Sequence, residues 1–468
     1  MKISAVTAFV ALAACEGPFV PPPPYPLPPS KPASVTVMPD SATVVTDDTL
    51  RLSAVVRDSA GNVLGGAPVS WTSADPTIVT VVNALGTVRG QRPGTTTIRA
   101  FAGSAAGAVA VFVTPLVFNS VSAGANHACA ITNNRHAYCW GDNDDAQVGT
   151  GATSFVEPAA RRVTLAPAQG AVVAGGAHGC ALDASGAAYC WGRAANGRLG
   201  RGGFPGDPAV PTAVATGLRF VVLAAGGAHT CGLAADGRAA CWGANASGQL
   251  GVTGTTDQPS PQPVIGDTPW RFITAGTGHS CALASDSTAA CWGANGSGQL
   301  GDSSLADRPF PAAVSGGLRF TAIAAGGGLT CAVTAAGAAH CWGRNARGET
   351  GTGLPDSALV APTPVAGGLS FRAVTAGGQH ACGIAADSLA YCWGANATGQ
   401  LGDSSQTDRT TPVPVRGALH FLALQAGAGF TCGLTGGLVL YCWGDGTQGQ
   451  LGRTFLESST VPVKVSGQ

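Results

Sequence analysis

The sequence predicts an all-β protein in which a small β-sandwich precedes a seven-bladed β-propeller. Three observations predict this fold. A unit with two cysteines and a Trp-Gly step occurs seven times, at intervals of 50 or 51 residues. The chain has 69 glycines and 31 prolines, and no long apolar pattern of helical period appears within a repeat. A stretch of short alternating segments, typical of strands, lies ahead of the repeats.

The composition excludes two classes of partner. Lysine and arginine together number 25, aspartate and glutamate together number 25, and the formal net charge is zero. The arginines are scattered and only three lysines occur, so no basic face for nucleic acid or polybasic membrane patch is present. Because 45% of the residues are hydrophobic, the chain is expected to fold around a packed core.

The first segment predicts export. In "MKISAVTAFVALAAC" one lysine precedes an apolar run that is too short to span a bilayer. The Leu12–Cys15 stretch, LAAC, resembles the lipobox of bacterial lipoproteins. The resemblance implies that residues 1–14 are a lipoprotein signal peptide and that Cys15 is acylated; the alternative is an ordinary signal peptide with an incidental cysteine. We expect a lipid-anchored, extracytoplasmic protein of the bacterial cell envelope, in the outer membrane, periplasm or cell surface, which meets the membrane through its anchor only.

Residues 15–32 predict a spacer. The stretch "EGPFVPPPPYPLPPSKP" has nine prolines in seventeen residues, which favours an extended polyproline segment without a core of its own. The alternative is a proline-rich ligand for a recognition domain.

Residues 33–115 predict the sandwich. Short alternating strands are separated by turn signals, and about eighty residues of this kind suit a small β-sandwich. Asp58, Gly61 and the stretches VSWTSADP, GTV and GTTTI resemble the bacterial immunoglobulin-like domain of group 2, which occurs in intimins, invasins and many surface proteins. The resemblance implies a stalk or adhesion module, or a plain spacer domain. No cysteine pair is present, so the core should be apolar, with Trp71 near its centre.

Residues 116–468 predict the propeller. One unit contains four strand-like segments: one like LRFVVLAAG, then HTCGLA, then RAACWG, and a last one near PTPV or PVPV. Four strands per unit of about 50 residues, repeated radially, are typical of a β-propeller. The pattern GxxHTCxL…G…CWGxNxxGQLG closely resembles repeats of the regulator of chromosome condensation family, whose ring has seven blades.

The repeated cysteines predict one disulfide inside each unit. Nine residues separate the partners, and a turn centred between them would place them opposite each other on neighbouring strands. Glycine fills the last turn position in three units, whereas Arg135, Ser287, Ser388 and Leu438 fill it in the others, where we expect a different turn geometry. Zinc is the alternative, although its ligands favour two to four intervening residues. The expected pairs are Cys129 with Cys139, Cys180 with Cys190, Cys231 with Cys241, Cys281 with Cys291, Cys331 with Cys341, Cys382 with Cys392, and Cys432 with Cys442.

A repeated histidine is the most tempting catalytic residue. It lies two positions before the first cysteine in five units, but Leu329 and Phe430 replace it in the other two. A position that accepts leucine and phenylalanine favours packing or a hydrogen bond within a blade. No Ser-His-Asp pattern, phosphate loop or paired carboxylate appears, so we expect a protein that is not an enzyme and has no cofactor and no metal site.

The stretch after each Leu-Gly step varies most between units, and it predicts a binding surface on a rigid ring. Phe204, Trp270 and Phe310 are the candidate contacts, with local packing as the alternative reading of each.

Together these features predict an exported, lipid-anchored binding or adhesion scaffold that presents a propeller loop face to a protein or cell-surface glycan. One alternative is an inhibitor of a secreted enzyme, because a bacterial β-lactamase inhibitor resembles this ring. Another is guanine-nucleotide exchange, which the family resemblance implies through its eukaryotic nuclear member. The export signal, the neutral charge and the paired cysteines argue against that activity.

Overall fold

A computed structural model describes residues 30–164, 169–203, 206–354 and 357–468. The predicted signal peptide, Cys15, nearly all of the spacer and Phe204 lie outside these ranges, and their roles stay predictions. The described residues form strands, turns and one short 3-10 segment, Ala195–Gly197. A search of the same ranges for a helix that could cross a membrane found none.

Nine strands build the N-terminal β-sandwich. They are β1 Ser34–Met38, β2 Ser41–Val45, β3 Thr49–Arg51, β4 Ser53–Arg57, β5 Ser70–Ser73, β6 Val79–Val81, β7 Thr87–Gly90, β8 Gly94–Ala102 and β9 Ala105–Thr114. One sheet has the order β2-β9-β8-β5, a second has the order β3-β7-β6, and β1 pairs with β4. Strand β2 runs parallel to β9, while the other pairs are antiparallel.

The core of the sandwich is apolar, as expected, but Trp71 does not lie at its centre. Fully buried aliphatic residues such as Val79, Val88 and Val111 occupy the centre. Trp71 is only partly buried and packs against this cluster from the side. The reason is its strand, because β5 is the edge strand of its sheet and leaves the indole open on one side.

Seven four-stranded antiparallel sheets follow, and we number them as blades 1 to 7. Blade 1 contains Phe118–Ala123, His127–Thr132, Ala137–Asp142 and Val156–Arg162. Blade 2 contains Gln169–Ala174, His178–Asp183, Ala188–Gly192 and Thr212–Ala213. Blade 3 contains Phe220–Ala225, His229–Ala234, Ala239–Gly243 and Gln258–Pro263. Blade 4 contains Trp270–Ala275, His279–Ala284, Ala289–Gly293 and Arg308–Ala313. Blade 5 contains Phe320–Ala325, Leu329–Thr334, Ala339–Arg344 and Ala358–Pro364. Blade 6 contains Phe371–Ala376, His380–Ala385, Ala390–Gly394 and Arg409–Pro414. Blade 7 contains Phe421–Ala426, Phe430–Thr435, Leu440–Gly444 and Ser459–Lys464.

Each blade is a simple meander built from one continuous segment of chain. The strands pair in the order first, second, third, fourth, so the four segments that the repeat predicts are confirmed. The ends of the first strands surround a central cavity, which places the first strand innermost and the fourth strand at the outer edge. The long loops between third and fourth strands therefore begin at the same end of the blade as the short loops after the first strands.

Glycines join neighbouring blades around the cavity. The glycine after each first strand leaves no room for a Cβ, since at Gly226 that atom would lie 2.4 Å from the carbonyl oxygen of Gly276 in the next blade. The backbone N–H of the following residue, Gly227, donates to the same oxygen at 3.1 Å. The seventh blade meets the first in a similar way, because Ala428 N–H donates to the oxygen of Ala125 at 3.2 Å.

Charged residues fasten the sandwich to blade 1. Asp47 accepts from the Arg161 guanidinium at 2.8 Å and from the backbone N–H of Arg162 at 3.2 Å, and it also pairs with Arg89 of its own domain. Arg162 pairs in turn with Asp48. These contacts hold the turn after β2 against the outer strand of blade 1.

Candidate binding face

The fourteen repeat cysteines form seven disulfides, one in each blade, between the second and third strands. Every partner pair occupies directly opposed positions of the ladder, with Cα atoms 4.0 or 4.1 Å apart. All fourteen side chains are fully buried. From blade 1 to blade 7, the bonded pairs are Cys129 with Cys139, Cys180 with Cys190, Cys231 with Cys241, Cys281 with Cys291, Cys331 with Cys341, Cys382 with Cys392, and Cys432 with Cys442.

Because all fourteen sulfurs are bonded to each other, they are not available as ligands for the alternative zinc site. A sulfur held in a disulfide is not a thiolate and does not bind the metal. Within the described ranges no group of three or more His, Cys, Asp or Glu side chains could hold a metal ion. The cysteines of the repeat therefore serve the architecture of each blade.

The turn between the two cysteines has the same backbone in all seven blades. Glycine takes a positive φ at its last position in blades 2, 3 and 5, with values near 80°. Arg135, Ser287, Ser388 and Leu438 take φ values of 63°, 71°, 73° and 58° at that position in the other blades. The expectation of a different geometry there was wrong. The fixed pairing of the flanking strands leaves a loop of one length, and the residue must enter the left-handed region whatever its side chain.

Four of the repeated histidines form hydrogen bonds with the next blade and not, as expected, within their own blade. The Nε2 atom of His229 in blade 3 lies 2.9 Å from the Ser280 hydroxyl of blade 4. That hydroxyl donates its proton to the backbone oxygen of Gln249 at 2.9 Å, so Nε2–H is the donor to it. Repeat alignment alone does not show which blade supplies the partner. Equivalent pairs are His178–Thr230, His279–Thr330 and His380–Thr431.

Burial keeps these imidazoles neutral. It lowers the pKa of His229 to about 3 and that of His279 to about 4, because a charged imidazole would be desolvated between the blades. These properties suit a structural position, not a proton carrier exposed to substrate.

The histidine and the hydroxyl-bearing residue of the next blade are largely present or absent together in the sequence. Where Leu329 replaces the histidine, the facing residue of the next blade is Ala381, which has no hydroxyl. Where Phe430 replaces it, the facing residue is Ala128. Blade 1 is the exception, because its histidine faces a glycine of blade 2. In the remaining four blades the histidine and the hydroxyl occur together, as expected of two groups that bond to each other.

The repeated asparagine and glutamine brace the loop between third and fourth strands. The Asn245 side chain accepts from Leu250 N–H at 3.1 Å and donates to the oxygen of Gly254 at 3.0 Å. The Gln249 side chain accepts from Ser247 N–H at 3.0 Å. Both side chains are buried, so the repeated residues of this motif hold the loop in shape and are not presented to solvent.

The non-repeated parts of these loops lie at the outer edge of the propeller. Their backbone bonds to the fourth strand of the next blade, as when Ser303 N–H donates to the oxygen of Val360 at 2.9 Å. We call this surface the loop rim: the residues between the Leu-Gly step, or its equivalent in blades 1 and 5, and the fourth strand of each blade. Among the described residues, blades 7 and 1, which are neighbours, supply its exposed phenylalanines. The large apolar side chains exposed there are Phe155 (65% exposed), Leu305 (56%), Leu354 (41%), Phe455 (62%) and Leu456 (42%).

The structure places the three sequence-predicted contacts in different situations. Phe310 is 42% exposed, but it lies on the fourth strand of blade 4 beside the rim loop. The prediction of Trp270 as a binding contact was wrong, because it is 8% exposed and packs 6.2 Å, centroid to centroid, from Trp292. It takes the place that a phenylalanine such as Phe220 holds in other blades, at the start of the first strand. Phe204 lies outside the described residues.

Sequence reasoning missed Phe155 and Phe455 as rim contacts. The signal that could have found them is a large apolar residue in a loop that is otherwise rich in Ser, Thr and Gly, as in GATSF before Val156 and in RTFLESS of blade 7. A loop with no core of its own has no internal reason to carry a phenylalanine.

Comparisons with known proteins agree with the two-part fold. Residues 156–468 match the RCC1-like domain, residues 118–147 match the regulator of chromosome condensation (RCC1) repeat, and residues 33–113 match the bacterial Ig-like domain, group 2. The family and the fold class predicted from the sequence are confirmed.

Individual relatives match only part of this chain. Human "Probable E3 ubiquitin-protein ligase HERC6" is 34% identical over 150 residues, which are 30% of this chain and 14% of that protein. The solved structure of human WBSCR16 has a TM-score of 0.65 at 18% identity and covers 71% of this chain and 94% of its own. Yeast RCC1 (Prp20), solved bound to Kap60, has a TM-score of 0.64 at 20% identity over 75% of this chain and 85% of its own. The chain thus spans about a seventh of HERC6, and the likeness to the two structures is one of fold.

Proposed function

The chain belongs to the RCC1-like domain family, and from that premise we propose that it is an exported, lipid-anchored scaffold whose loop rim binds a protein or glycan on or near the cell envelope. The proposal is one of binding and not of catalysis. The proposal has two parts. A propeller of this family suggests a role in interaction, and the first fifteen residues predict export.

One observation carries the proposal: what repeats is buried, and what varies is exposed. The cysteines, the Trp-Gly step, the histidines and the Asn and Gln of the loop motif are all used in packing within and between blades. The loop rim differs from blade to blade and exposes Phe155, Leu305, Leu354 and Phe455. Isolated exposed apolar residues are ordinary, but several on the loops of one rigid frame form a surface that a partner can recognise.

Export is supported by the disulfides. Disulfides form and persist in oxidising compartments and are rare in the cytosol, so seven of them in one chain favour an extracytoplasmic location. The Ig-like domain between the spacer and the propeller would hold the rim away from the membrane.

The anchor is tested by expressing Cys15→Ala in the native host. The variant should lose lipid labelling and leave the membrane fraction, whereas Cys15 protein should retain both. A variant that still labels and still sediments with membranes would place the anchor elsewhere.

Binding is tested with the purified, oxidised protein as bait against envelope proteins and an array of cell-wall glycans. The double variant that combines Phe155→Ser with Phe455→Ser should lose the captured partner, because it removes the two most exposed aromatic rings among the described residues of the rim. Val221→Ser is the matched control, since Val221 is 57% exposed but lies on a first strand, away from the rim. Equal capture by all three proteins would refute the rim as the binding surface. Capture of a secreted hydrolase that loses its activity would replace the scaffold with an inhibitor.

A further inference from the structure

The central cavity is a feature of the propeller that the proposed function leaves unused. It has a volume of about 510 Å³, and its wall comes from the ends of the first strands in all seven blades. Nearly every lining residue is glycine or alanine. Among the described residues that line it, only Arg193 and Arg198 are charged, and both belong to the loop after the third strand of blade 2.

These two arginines depart from the repeat. Alanine occupies the position of Arg193 in blades 3, 4 and 6. Glutamine occupies the position of Arg198 in five blades. In blade 5 the same two positions hold Arg344 and Glu349, which pair with each other at 3.2 Å. Blade 2 alone has two cations at these positions, which breaks the approximate sevenfold symmetry of the cavity wall.

Arg198 is buried without a carboxylate partner. The residue is 6% exposed, and its guanidinium donates to the oxygens of Ala195, Asn196 and Gly227 at 2.9, 3.1 and 3.3 Å. All three acceptors are neutral, and no ion pair of Arg198 within 4 Å occurs in the part of the chain described. Burial, with Arg193 as a second cause, lowers the pKa of Arg198, while the carboxylates of Asp145, Asp207 and Asp257 act in the opposite direction from beyond ion-pair distance. A guanidinium keeps its charge at neutral pH.

Arg193 adds a second cation that is weakly engaged. About half of its side chain is exposed, and its one ion pair in the described ranges is with Asp145 at 3.8 Å, a distance longer than a hydrogen bond. A buried charge without a counter-ion costs free energy unless something neutralises it. The structure therefore places a buried guanidinium with only neutral hydrogen-bond partners, and a second guanidinium that is weakly paired, at the edge of a cavity large enough for a small molecule or an extended segment of chain.

We propose that Arg193 and Arg198 form an oxyanion-binding site in the central cavity, which takes a carboxylate or phosphate group. The planar guanidinium donates two parallel hydrogen bonds to such a group, and the glycine and alanine wall leaves the approach unobstructed. The oxyanion can be free in solution or carried by an acidic peptide, since both present the same chemistry. This site is separate from the loop rim and does not rest on the proposed export or on the rim partner.

The test measures binding of two probes to the purified, oxidised protein by calorimetry and by the shift in its thermal midpoint. The probes are inorganic phosphate and a hexaglutamate peptide, with sodium chloride at equal ionic strength as the reference. Either probe should bind and raise the midpoint beyond the chloride reference. Phosphate binding alone identifies a free oxyanion as ligand, and much tighter peptide binding identifies a carboxylate carried on a chain.

Variants assign the effect to these residues. Arg198→Gln restores the residue of five other blades, so it should fold, and it should weaken binding at least tenfold. Arg193→Ala restores the residue of three blades and should weaken binding several-fold. Arg238→Ala is the control, because Arg238 is an exposed arginine in a turn at the other end of blade 3. Without ligand, Arg198→Gln should melt no lower than the parent, since it removes a buried charge that has no hydrogen-bonded carboxylate. The site is refuted if neither probe exceeds chloride, if all three variants bind alike, or if Arg198→Gln lowers the midpoint and leaves affinity unchanged.

Discussion

At the scale of single residues, the repeated positions are explained by short contacts between neighbouring blades. Three groups meet where two neighbouring blades are in contact. They are the glycine after each first strand, the buried histidine two residues before the cysteine, and the facing hydroxyl of the next blade. Each is explained by a neighbour about 50 residues away in sequence. Two predictions belong to this scale.

The first prediction concerns the glycines of the inner ring. Gly226→Ala would place a Cβ 2.4 Å from both the Gly276 oxygen and the His229 ring, so blades 3 and 4 must move apart. We expect a loss of about 1–3 kcal/mol of unfolding free energy, measured by denaturant titration under oxidising conditions. Gly217→Ala is the control, because a Cβ there meets nothing within 4 Å. It should be neutral or stabilising by up to about 1 kcal/mol. Similar losses for the two variants would contradict the inner ring.

The second prediction is that acid weakens the propeller through its buried histidines. The pKa of His229 is lowered to about 3 and those of His127, His279 and His380 to about 4, against 6.5 in an unfolded chain. Between these values the unfolded state binds protons that the folded state does not. Stability is therefore complete above about pH 6.5 and falls as the pH drops towards 4, by roughly 3 kcal/mol for each such histidine.

Unfolding free energies measured from pH 7.5 to pH 4 test this expectation. The matched variant combines His229→Leu with Ser280→Ala, which copies the Leu329 and Ala381 pair found between blades 5 and 6. Its loss of stability on acidification should be smaller by about the contribution of one histidine. A variant with the same pH slope as the parent would show that His229 is not buried as a neutral ring.

At the scale of the element, the blade is a hairpin closed by a disulfide and flanked by two more strands. The nine-residue spacing was enough to predict the partners, because a three-residue turn centred between them leaves directly opposed positions. The spacing also overrides side-chain preference, as Leu438 in a left-handed turn position shows. The disulfide and the register of the hairpin thus support each other.

The third prediction is that oxidation adds to the stability of each blade but does not decide whether the ring folds. Peptide mapping without reduction should give seven links of the kind that joins Cys231 to Cys241. Replacing both Cys231→Ala and Cys241→Ala should lose about 3 kcal/mol, or less, because the bridge closes only a short loop and the blade stays packed between two neighbours. Links between blades, or fourteen free thiols in protein from its native envelope, would contradict the fold of the hairpin.

At the scale of the whole molecule, the sequence predicts what is periodic and fails where a contact joins distant parts. Seven copies of one pattern were sufficient to predict the strands of each blade, the disulfide partners and the family. Trp270 was misjudged because the local sequence does not show whether it ends the variable loop or begins the next strand. It is the first residue of that strand, and its packing against Trp292 shows that it replaces a core phenylalanine. The histidine partners and the role of Asp47 depend on how blades and domains are placed beside one another, which no local pattern contains.

The last prediction concerns the junction between the sandwich and the propeller. Asp47 has a side chain only 9% exposed, which lies between Arg89 of the sandwich and Arg161 of blade 1. Asp47→Asn keeps a residue type that tolerates the left-handed backbone at this position, φ 65°, and removes only the charge. The two arginines are partly exposed, so we expect the contact between domains to weaken by about 1–2 kcal/mol rather than by the full cost of a buried pair.

The outcome of that change is a looser arrangement of two intact domains. Small-angle scattering should give a larger radius of gyration, and proteolysis at residues 115–117, between the last sandwich strand and blade 1, should become faster. The thermal midpoint of the propeller should not change, since its blades pack on one another without the sandwich. Asp40→Asn is the control, because Asp40 is exposed and lies before β2, at the end of that strand opposite to this turn. An Asp47→Asn protein with the dimensions and cleavage rate of the control would mean that Leu116, whose N–H donates to the Gly467 oxygen at 2.8 Å, holds the junction without the charges.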